Sequence, residues 1–328
     1  MTDEKFLITG GQGFIGAWIA KRLIDEGVPF VIHDKTPENG ILSQVIDPNK
    51  LAKVERVFAD IAECGKVSEL VNDHGITTII HLAGLQVPTC RADPLLGARV
   101  NVLGTLNVFE AARVHADQVR SVVYASSAAV AGDVGDYSGP ILDDTPHVPR
   151  THYGVFKSAN EGNARVYYHD HGIRSVGLRP YTVYGVGREV GITSGPTKAI
   201  KAAVLGRQYE IGFSGTSSFV FVEDLAEIFV AAGRVDKDGA FALNVRGIID
   251  SVERYTELLA EVMPESQGQV SVSGGQLPIA YDVEERGLAE LLDGDVPQTP
   301  LREGIAKTAE HFRGLVEGGR LHDGDLQS

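Results

Sequence analysis

The sequence is poor in cysteine and in positive charge. Only 2 cysteines occur in 328 residues, Cys64 and Cys90, and they form no CxxC pair, so neither a disulfide framework nor a thiolate zinc site is indicated. Lys and Arg total 30 against 44 Asp and Glu, which gives a net charge of −14. This excess argues against general binding to nucleic acid or to an anionic membrane, because both attract clustered Lys and Arg.

Long apolar runs are also missing. The chain begins MTDEK and continues with the short run FLI, whereas a secretory signal needs a basic start and a longer apolar segment. No stretch approaches the ~20 apolar residues that span a bilayer. The 10 histidines show no HExxH or comparable spacing, so no metal site is predicted. We expect a cytoplasmic protein with neither nucleic-acid nor membrane partners.

The first half of the chain alternates short apolar runs with helical patterns, which is typical of a parallel sheet with crossover helices. The strands are rich in Val, Ile and Leu and alternate little, which favours burial on both faces. The length predicts one large α/β domain or two smaller units. We predict strands at 5–9, 30–34, 54–58, 77–82, 121–126 and 175–179, and helices at 14–26, 93–115 and 153–172.

The second half is less regular. Gly, Pro and Asp dominate residues 132–150, which indicates a surface loop near a site, and 185–195 indicates another loop. Residues 317–328 are expected to form a flexible tail. We predict further strands at 209–211, 219–222 and 240–245, and further helices at 224–233, 251–263 and 300–316.

A glycine-rich turn carries the strongest local signal. The segment TGGQGFIG follows the first predicted strand and opens the first predicted helix, with Gly10, Gly13 and Gly16 three residues apart. Glycines there permit a tight turn and let a pyrophosphate approach the helix N-terminus. Asp34 ends the next strand at the ~20-residue separation expected of a ribose-binding carboxylate. This arrangement favours NAD over NADP, although Lys35 leaves NADP open.

A second signal lies in the predicted helix at 153–172. Tyr153 and Lys157 stand at i and i+4, on one helical face. A neighbouring ammonium and a positive nicotinamide ring both favour tyrosinate, which would lower the pKa of the tyrosine from ~10 toward neutral pH. Upstream, Ser126 and Ser127 follow a strand, at the sheet edge where ligands bind. Together a serine, Tyr153 and Lys157 describe hydride removal from a carbinol; the alternative is a surface Tyr–Lys pair.

Four further motifs accompany these two: HLAG at 81–84, ASSAAVAG at 125–132, LRPYTVYGVG at 178–187 and FVFVEDLAE at 219–227. With them, the chain resembles the extended short-chain dehydrogenases/reductases. The resemblance is to the NAD-dependent epimerase/dehydratase family, over about residues 5–315. It implies a Rossmann-type doubly wound sheet, with an NAD-binding domain at 1–180 that carries the catalytic residues. A smaller substrate-binding lobe at 181–316, with some return to the main sheet, and a homodimer are implied as well.

The resemblance also implies site residues. The catalytic set is Ser127, Tyr153 and Lys157, with Ser127 preferred over Ser126 because it occupies the family's Ser/Thr position. The substrate contacts are Gln86, Arg91, Ser127, Thr182 and Arg188. The cofactor contacts are Gly10, Gly13, Phe14, Ile15, Gly16, Asp34, Asp60, Ile61, Leu82, Ala83, Gly84, Asn101, Tyr153, Lys157 and Pro180.

The chain departs from the family pattern at informative positions. Family dehydratases carry an Asp-Glu pair after the catalytic Ser/Thr, where this chain has Ala128 and Ala129, and the Glu of the family's decarboxylases is also missing. Both chemistries are therefore disfavoured. Nucleotide-sugar epimerases usually have Asn where Thr182 stands and Arg where Ser217 and Ser218 stand. Losing that Arg removes a bidentate phosphate donor, which favours a smaller free sugar, sugar acid or polyol.

Three arginines are candidates for a carboxylate clamp, namely Arg91, Arg99 and Arg188, with surface exposure or an ion pair as the alternative for each. We therefore predict an NAD-dependent oxidoreductase that removes a hydride from a secondary hydroxyl of a carbohydrate-like substrate. A nucleotide-sugar 4-epimerase with tightly held NAD is the main alternative. A nucleotide-sensing protein without catalysis is disfavoured, because a sensor needs no proton acceptor.

Overall fold

A computed structural model describes residues 4–38, 40–294 and 296–327 of the chain. Its strands are β1 (Phe6–Thr9), β2 (Phe30–Asp34), β3 (Glu55–Phe58), β4 (Thr78–His81), β5 (Ser121–Ala125), β6 (Ser175–Pro180), β7 (Thr182–Tyr184), β8 (Tyr209–Ile211), β9 (Thr216–Phe221), β10 (Ala240–Val245), β11 (Ile248–Ser251) and β12 (Val270–Val272). Its α-helices are α1 (Phe14–Glu26), α2 (Gly40–Val45), α3 (Pro48–Leu51), α4 (Lys66–His74), α5 (Val87–Ala92), α6 (Pro94–Ala98), α7 (Gly104–Val114), α8 (His152–His171), α9 (Gly195–Val204), α10 (Val222–Arg234), α11 (Val252–Val262), α12 (Arg286–Leu291) and α13 (Leu301–Glu317).

The central sheet is parallel and has the order β10-β6-β5-β4-β1-β2-β3. Since β1 pairs with β2 on one side and with β4 on the other, the chain reverses its direction across the sheet at β1. Ligands of open α/β sheets bind outside the carboxyl ends of the strands at such a switch point. The predicted α/β class and doubly wound parallel sheet are thus confirmed.

Apolar packing on both faces explains why the strands read as continuous Val/Ile/Leu runs. Every residue of β1 and of β4 is buried. One apolar cluster packs α1 and α10 against the sheet, and a second packs α4, α7 and α8 against the other face. Strands β1 to β6 all lie within one residue of their predicted bounds. In the described part of the chain, no helix is long and apolar enough to cross a bilayer.

The helix predicted at 93–115 is wrong as a single element. The structure divides it into α6, a π-helical segment at Arg99–Leu103, and α7. Asp93 caps α6 by accepting a hydrogen bond from the Leu96 amide at 2.9 Å. A π-helical turn adds a residue to the helical repeat and so shifts the facing of the side chains. In this segment Asn101 is buried, at 1% exposure.

The second half of the chain adds two small sheets and also returns to the main one. β7 and β11 pair with β9, and β12 pairs with β8. β10 pairs with β6 at the edge of the main sheet. The elements β7, β11, β12 and α12 escaped prediction because segments of 3 to 6 residues are too short to show a periodicity. The division at 1–180 and 181–316 stays a prediction.

The C-terminal segment packs onto the molecule, in contrast to the flexible tail predicted at 317–328. Residues Gly324–Gln327 form a 3-10 turn. Asp325 Oδ1 lies 2.7 Å from Nζ of Lys201, which is buried on α9. Arg320 donates a hydrogen bond to the Ser43 carbonyl at 3.1 Å. The last residue of the predicted tail, Ser328, lies outside the described residues.

Candidate active site

A cavity of about 960 Å³ opens at the carboxyl ends of the central strands. Nearly all residues that the sequence predicts for cofactor, substrate and catalysis line it, because they follow neighbouring parallel strands. These predicted lining residues are Gly10, Gly13, Phe14, Ile15, Gly16, Asp34, Asp60, Ile61, Leu82, Ala83, Gly84, Gln86, Ser127, Tyr153, Lys157, Pro180, Thr182 and Arg188.

The glycine-rich turn fits a dinucleotide diphosphate. Gly10 has φ +69°, and a Cβ there would lie 2.6 Å from the Ala83 amide nitrogen, so only glycine suits this close approach of β1 and β4. Gly13 precedes α1 and supplies no side-chain cap, and the first turn of α1 has no acidic residue. The unpaired N–H groups of the α1 N-terminus and their partial positive charge therefore remain open to a phosphate.

The ends of β2 and β3 suit an adenosine ribose without a 2′-phosphate. Asp34 lines the cavity and accepts hydrogen bonds from the amides of Gln12 at 3.0 Å and Lys35 at 2.8 Å. Asp60 Oδ2 lies 3.8 Å from Lys35 Nζ and 3.2 Å from Arg99 NH2. Lys35, which lines the cavity, and the nearby Arg99 thus both face the Asp60 carboxylate instead of offering a site for a 2′-phosphate, which fits NAD. Arg99, one of the three candidate clamp residues, pairs with Asp60 instead.

Ser127, Tyr153 and Lys157 lie together in the lining of the cavity. Lys157 Nζ lies 5.5 Å from the centroid of the Tyr153 ring and donates to the Ala125 carbonyl at 2.6 Å. Burial lowers the pKa of Lys157 to about 8. Burial also raises the pKa of Tyr153, while a hydrogen bond with Ser127 and the charge of Arg188 lower it.

Close backbone packing sets the position of Ser127. A Cβ at Gly154 would lie 2.1 Å from the Ala129 carbonyl oxygen, so the turn after β5 rests directly on α8. The neighbouring serine has a different role, since the Ser126 hydroxyl donates to Glu161 in the interior. The hydroxyl beside Tyr153 is that of Ser127.

Two predicted site residues, Arg91 and Asn101, lie outside the cavity lining. Arg91 is exposed on α5 and is not part of the cavity wall, because Val87 and Pro88 form the cavity side of that helix. Asn101 is buried behind the wall, where its side chain accepts from the Leu85 amide at 2.8 Å and donates to the Leu85 carbonyl at 3.0 Å. It holds the loop after β4 rather than contacting the cavity.

A buried ion pair beside the site escaped sequence analysis. Arg179 on β6 donates to both carboxylate oxygens of Glu161 at 2.9 and 2.7 Å, and His147 Nε2 lies 3.2 Å away. Burial alone would raise the pKa of Glu161, but hydrogen bonds from Arg179 and His147 hold it at about 2. Glu161 stands four residues after Lys157 on α8, so helical spacing was the available signal.

Part of the cavity wall carries neutral hydroxyl groups. Thr182 Oγ1 and Ser217 Oγ are hydrogen-bonded at 2.8 Å, and both residues line the cavity. Ser218 is fully buried and is absent from the described lining. Of the two serines that stand where the resemblance expects an Arg, Ser217 is the one that lines the cavity. Within the ranges that the structure describes, no three His, Cys, Asp or Glu side chains are placed to hold a metal ion.

The fold and the cavity together define a Rossmann-type dinucleotide-binding protein with polar side chains at the switch point of its sheet. The model of the NAD dependent epimerase/dehydratase family matches residues 6–245. The chain belongs to this family, and the resemblance inferred from its motifs is confirmed. It is an NAD-dependent enzyme of the epimerase and short-chain dehydrogenase type.

Relatives match over nearly the full length. A UDP-glucose 4-epimerase of Mycolicibacterium smegmatis is 32% identical over 94% of this chain and 98% of that protein. A UDP-glucose 4-epimerase of Azospirillum brasilense is 31% identical over 100% of this chain and 93% of that protein. The structure of a Thermus thermophilus UDP-glucose 4-epimerase complexed with NAD is 25% identical and has a TM-score of 0.78, with 94% and 99% of the two chains covered.

Proposed function

We propose that this enzyme oxidises a secondary hydroxyl of a carbohydrate substrate, with Ser127, Tyr153 and Lys157 as its catalytic residues. One observation carries the proposal: these three side chains lie together in a cavity whose wall also includes the open N-terminus of α1. Bound NAD supplies the hydride acceptor. A carbinol and NAD⁺ become a carbonyl, NADH and a proton, so the protein must accept that proton.

Each residue has a distinct task. The Tyr153 oxygen takes the hydroxyl proton, and the hydrogen bond with Ser127 favours its ionised form. The Ser127 hydroxyl donates a hydrogen bond to the substrate oxygen as its carbonyl character develops. Lys157 donates to the Ala125 carbonyl and keeps a positive charge beneath the tyrosine ring.

The test is Tyr153→Phe, with NADH formation followed on a panel of free sugars, sugar acids and nucleotide sugars. We expect activity at saturating NAD to fall by about 10²- to 10⁴-fold, the usual contribution of a positioned acid–base group. Tyr168→Phe, on the same helix, is the matched control. Full turnover in Tyr153→Phe would contradict the assignment.

A second candidate is a nucleotide-sugar 4-epimerase, in which the hydride returns to the opposite face of the carbonyl. The relatives named UDP-glucose 4-epimerase, matched over nearly their whole length, favour it. The Thr182–Ser217 hydroxyl pair argues the other way, since it offers no charge to a substrate diphosphate. Epimer formation from a nucleotide sugar without net NADH would decide for this candidate.

A further inference from the structure

We propose that Arg188 is an anion-binding residue of the substrate site, and that the substrate is a sugar acid whose carboxylate it binds. This proposal rests on the carbinol oxidation proposed above. It names the substrate class that the cavity accepts.

Arg188 presents unused hydrogen-bond donors. Its NH2 group donates to Thr193 Oγ1 at 3.0 Å, and its guanidinium carbon lies 5.9 Å from the centroid of the Phe14 ring. Its Nε atom is buried and has no hydrogen-bond partner in the described structure. A guanidinium has five N–H donors in a planar fork, so this one is far from satisfied.

No carboxylate of the described residues pairs with Arg188. The adjacent Glu189 accepts from Gln44 at 2.8 Å and lies 3.8 Å from Lys201, so it is engaged elsewhere. Burial lowers the pKa of Arg188, and the opposing electrostatic contribution comes from Tyr153. Removing a cation from water without a counter-charge is unfavourable, and an incoming anion would offset that cost.

Gln86 and the Arg188 guanidinium both pack close to Gly191. A Cβ at Gly191, where φ is +104°, would lie 2.5 Å from Gln86 Oε1 and 3.1 Å from Arg188 NH2. A side chain at position 191 would clash with both groups, so Gly191 lets the Gln86 amide and the guanidinium lie near one another in the cavity wall. A carboxylate suits this set, because its two oxygens match the guanidinium fork.

The other cations of the cavity are less suited to this task. Lys35 faces Asp60 at the adenosine end, and Lys157 donates to the Ala125 carbonyl. Arg188 is the only arginine of the described lining, and Tyr153 lines the same cavity. A substrate in this cavity could therefore present a carboxylate to Arg188 and a carbinol to Tyr153.

The experiment measures binding to the NAD-loaded protein by calorimetry. D-glucuronate, D-galacturonate, D-gluconate, D-galactonate and UDP-glucuronate are each compared with the neutral glucose, galactose or UDP-glucose parent. We expect at least one acid to bind about 30-fold or more tightly than its parent. Arg188→Gln should abolish this preference and Arg188→Lys should retain part of it, because an ammonium keeps the charge without the fork. Arg302→Gln, an exposed site, is the charge-matched control.

Several outcomes would overturn the proposal: equal binding of acids and neutral parents, no acid bound, or a preference that survives Arg188→Gln. The proposal is also overturned if Arg188→Gln weakens the binding of NAD and not that of the acids, because the anion that Arg188 binds would then be the cofactor diphosphate. Thermal melting shows whether each variant is folded. Tyr153→Phe separates the two proposals: it should retain the acid preference while its turnover falls by about 10²- to 10⁴-fold. Full turnover in that variant refutes the mechanism while leaving the acid site standing.

Discussion

Glu161 shows at the scale of one residue how the interior supports the site. Its side chain is fully buried, and Arg179 hydrogen-bonds both of its oxygens. Removing one partner of a buried pair leaves the other charge uncompensated, so Glu161→Gln should reduce the free energy of unfolding by about 3–5 kcal/mol at neutral pH. Urea unfolding measures this, with Glu69→Gln in an exposed pair as the control. A loss no larger than that of the control would contradict it.

The same residue predicts a pH dependence. Its pKa is about 2 in the folded protein against an ordinary value of 4.5, so between these values the unfolded chain binds a proton that the folded chain does not. The stabilisation is therefore present above pH 4.5 and is lost as the pH falls toward about 2. We expect wild type to lose more stability than Glu161→Gln between pH 5 and pH 3, as measured by urea midpoints at each pH. Parallel losses in the two proteins would contradict this.

The contrast between Arg188 and Arg91 marks the limit of sequence analysis for single side chains. Motif positions such as Gly13 and Tyr153 could be placed at the cavity because they follow strands whose ends share one sheet edge. The direction of an arginine cannot be inferred in that way. Arg188 depends on a loop with positive-φ glycines and Arg91 on a short helix, and only three-dimensional packing shows which of them faces the cavity.

At the scale of elements, the C-terminal segment is a structural part of the cavity. Lys201 is buried and pairs with Asp325, and it donates to the His322 carbonyl at 3.0 Å. His322, Gly324 and Asp325 belong to the cavity lining. The segment thus closes one side of the pocket and neutralises a buried lysine of α9.

Ending the chain at Gly319 should therefore destabilise it. Of its two acidic partners in the described structure, Lys201 would keep only the more distant Glu189, at 3.8 Å. We therefore expect a loss of about 3–5 kcal/mol in the free energy of unfolding. Adding Lys201→Met to the truncated chain should restore part of that loss, because it removes the uncompensated charge. Chemical denaturation of the two truncated proteins and the full-length chain measures both effects. A truncated chain as stable as the full-length one would show that the contact contributes little.

Elements differed in how far they could be predicted. Strands β1 to β6 and helices α1 and α8 are long or strongly apolar, so their sequence patterns were sufficient to predict them. α9 was missed because nearly all its residues are buried, so it shows no polar face. A π-helical segment separates α6 from α7 and contains Asn101, whose side chain binds the Leu85 backbone. The local sequence pattern does not encode this contact across the fold.

At the scale of the whole molecule, exposed apolar side chains on the π-helical segment Arg99–Leu103 and on α8 bear on assembly. Leu103, Val155 and Val166 are exposed by 44%, 47% and 57% on neighbouring helical segments. Grouped exposed apolar side chains mark interaction surfaces, and a two-fold axis would bring the same face of two copies together. The dimer implied by the family resemblance would use this face.

We accordingly expect sedimentation velocity to show a dimer. Val155→Asp combined with Val166→Asp should give a folded monomer, because a two-fold interface repeats each buried charge; Val316→Asp, exposed on α13, is the control. Each copy carries a net charge of −14, so the two copies repel one another, and apolar burial must overcome that repulsion. Added salt shortens the Debye length and screens the repulsion, so the dimer dissociation constant should fall between about 0.05 and about 0.5 M salt. A monomer at all salt concentrations, or a dimer that weakens with salt, would refute this interface.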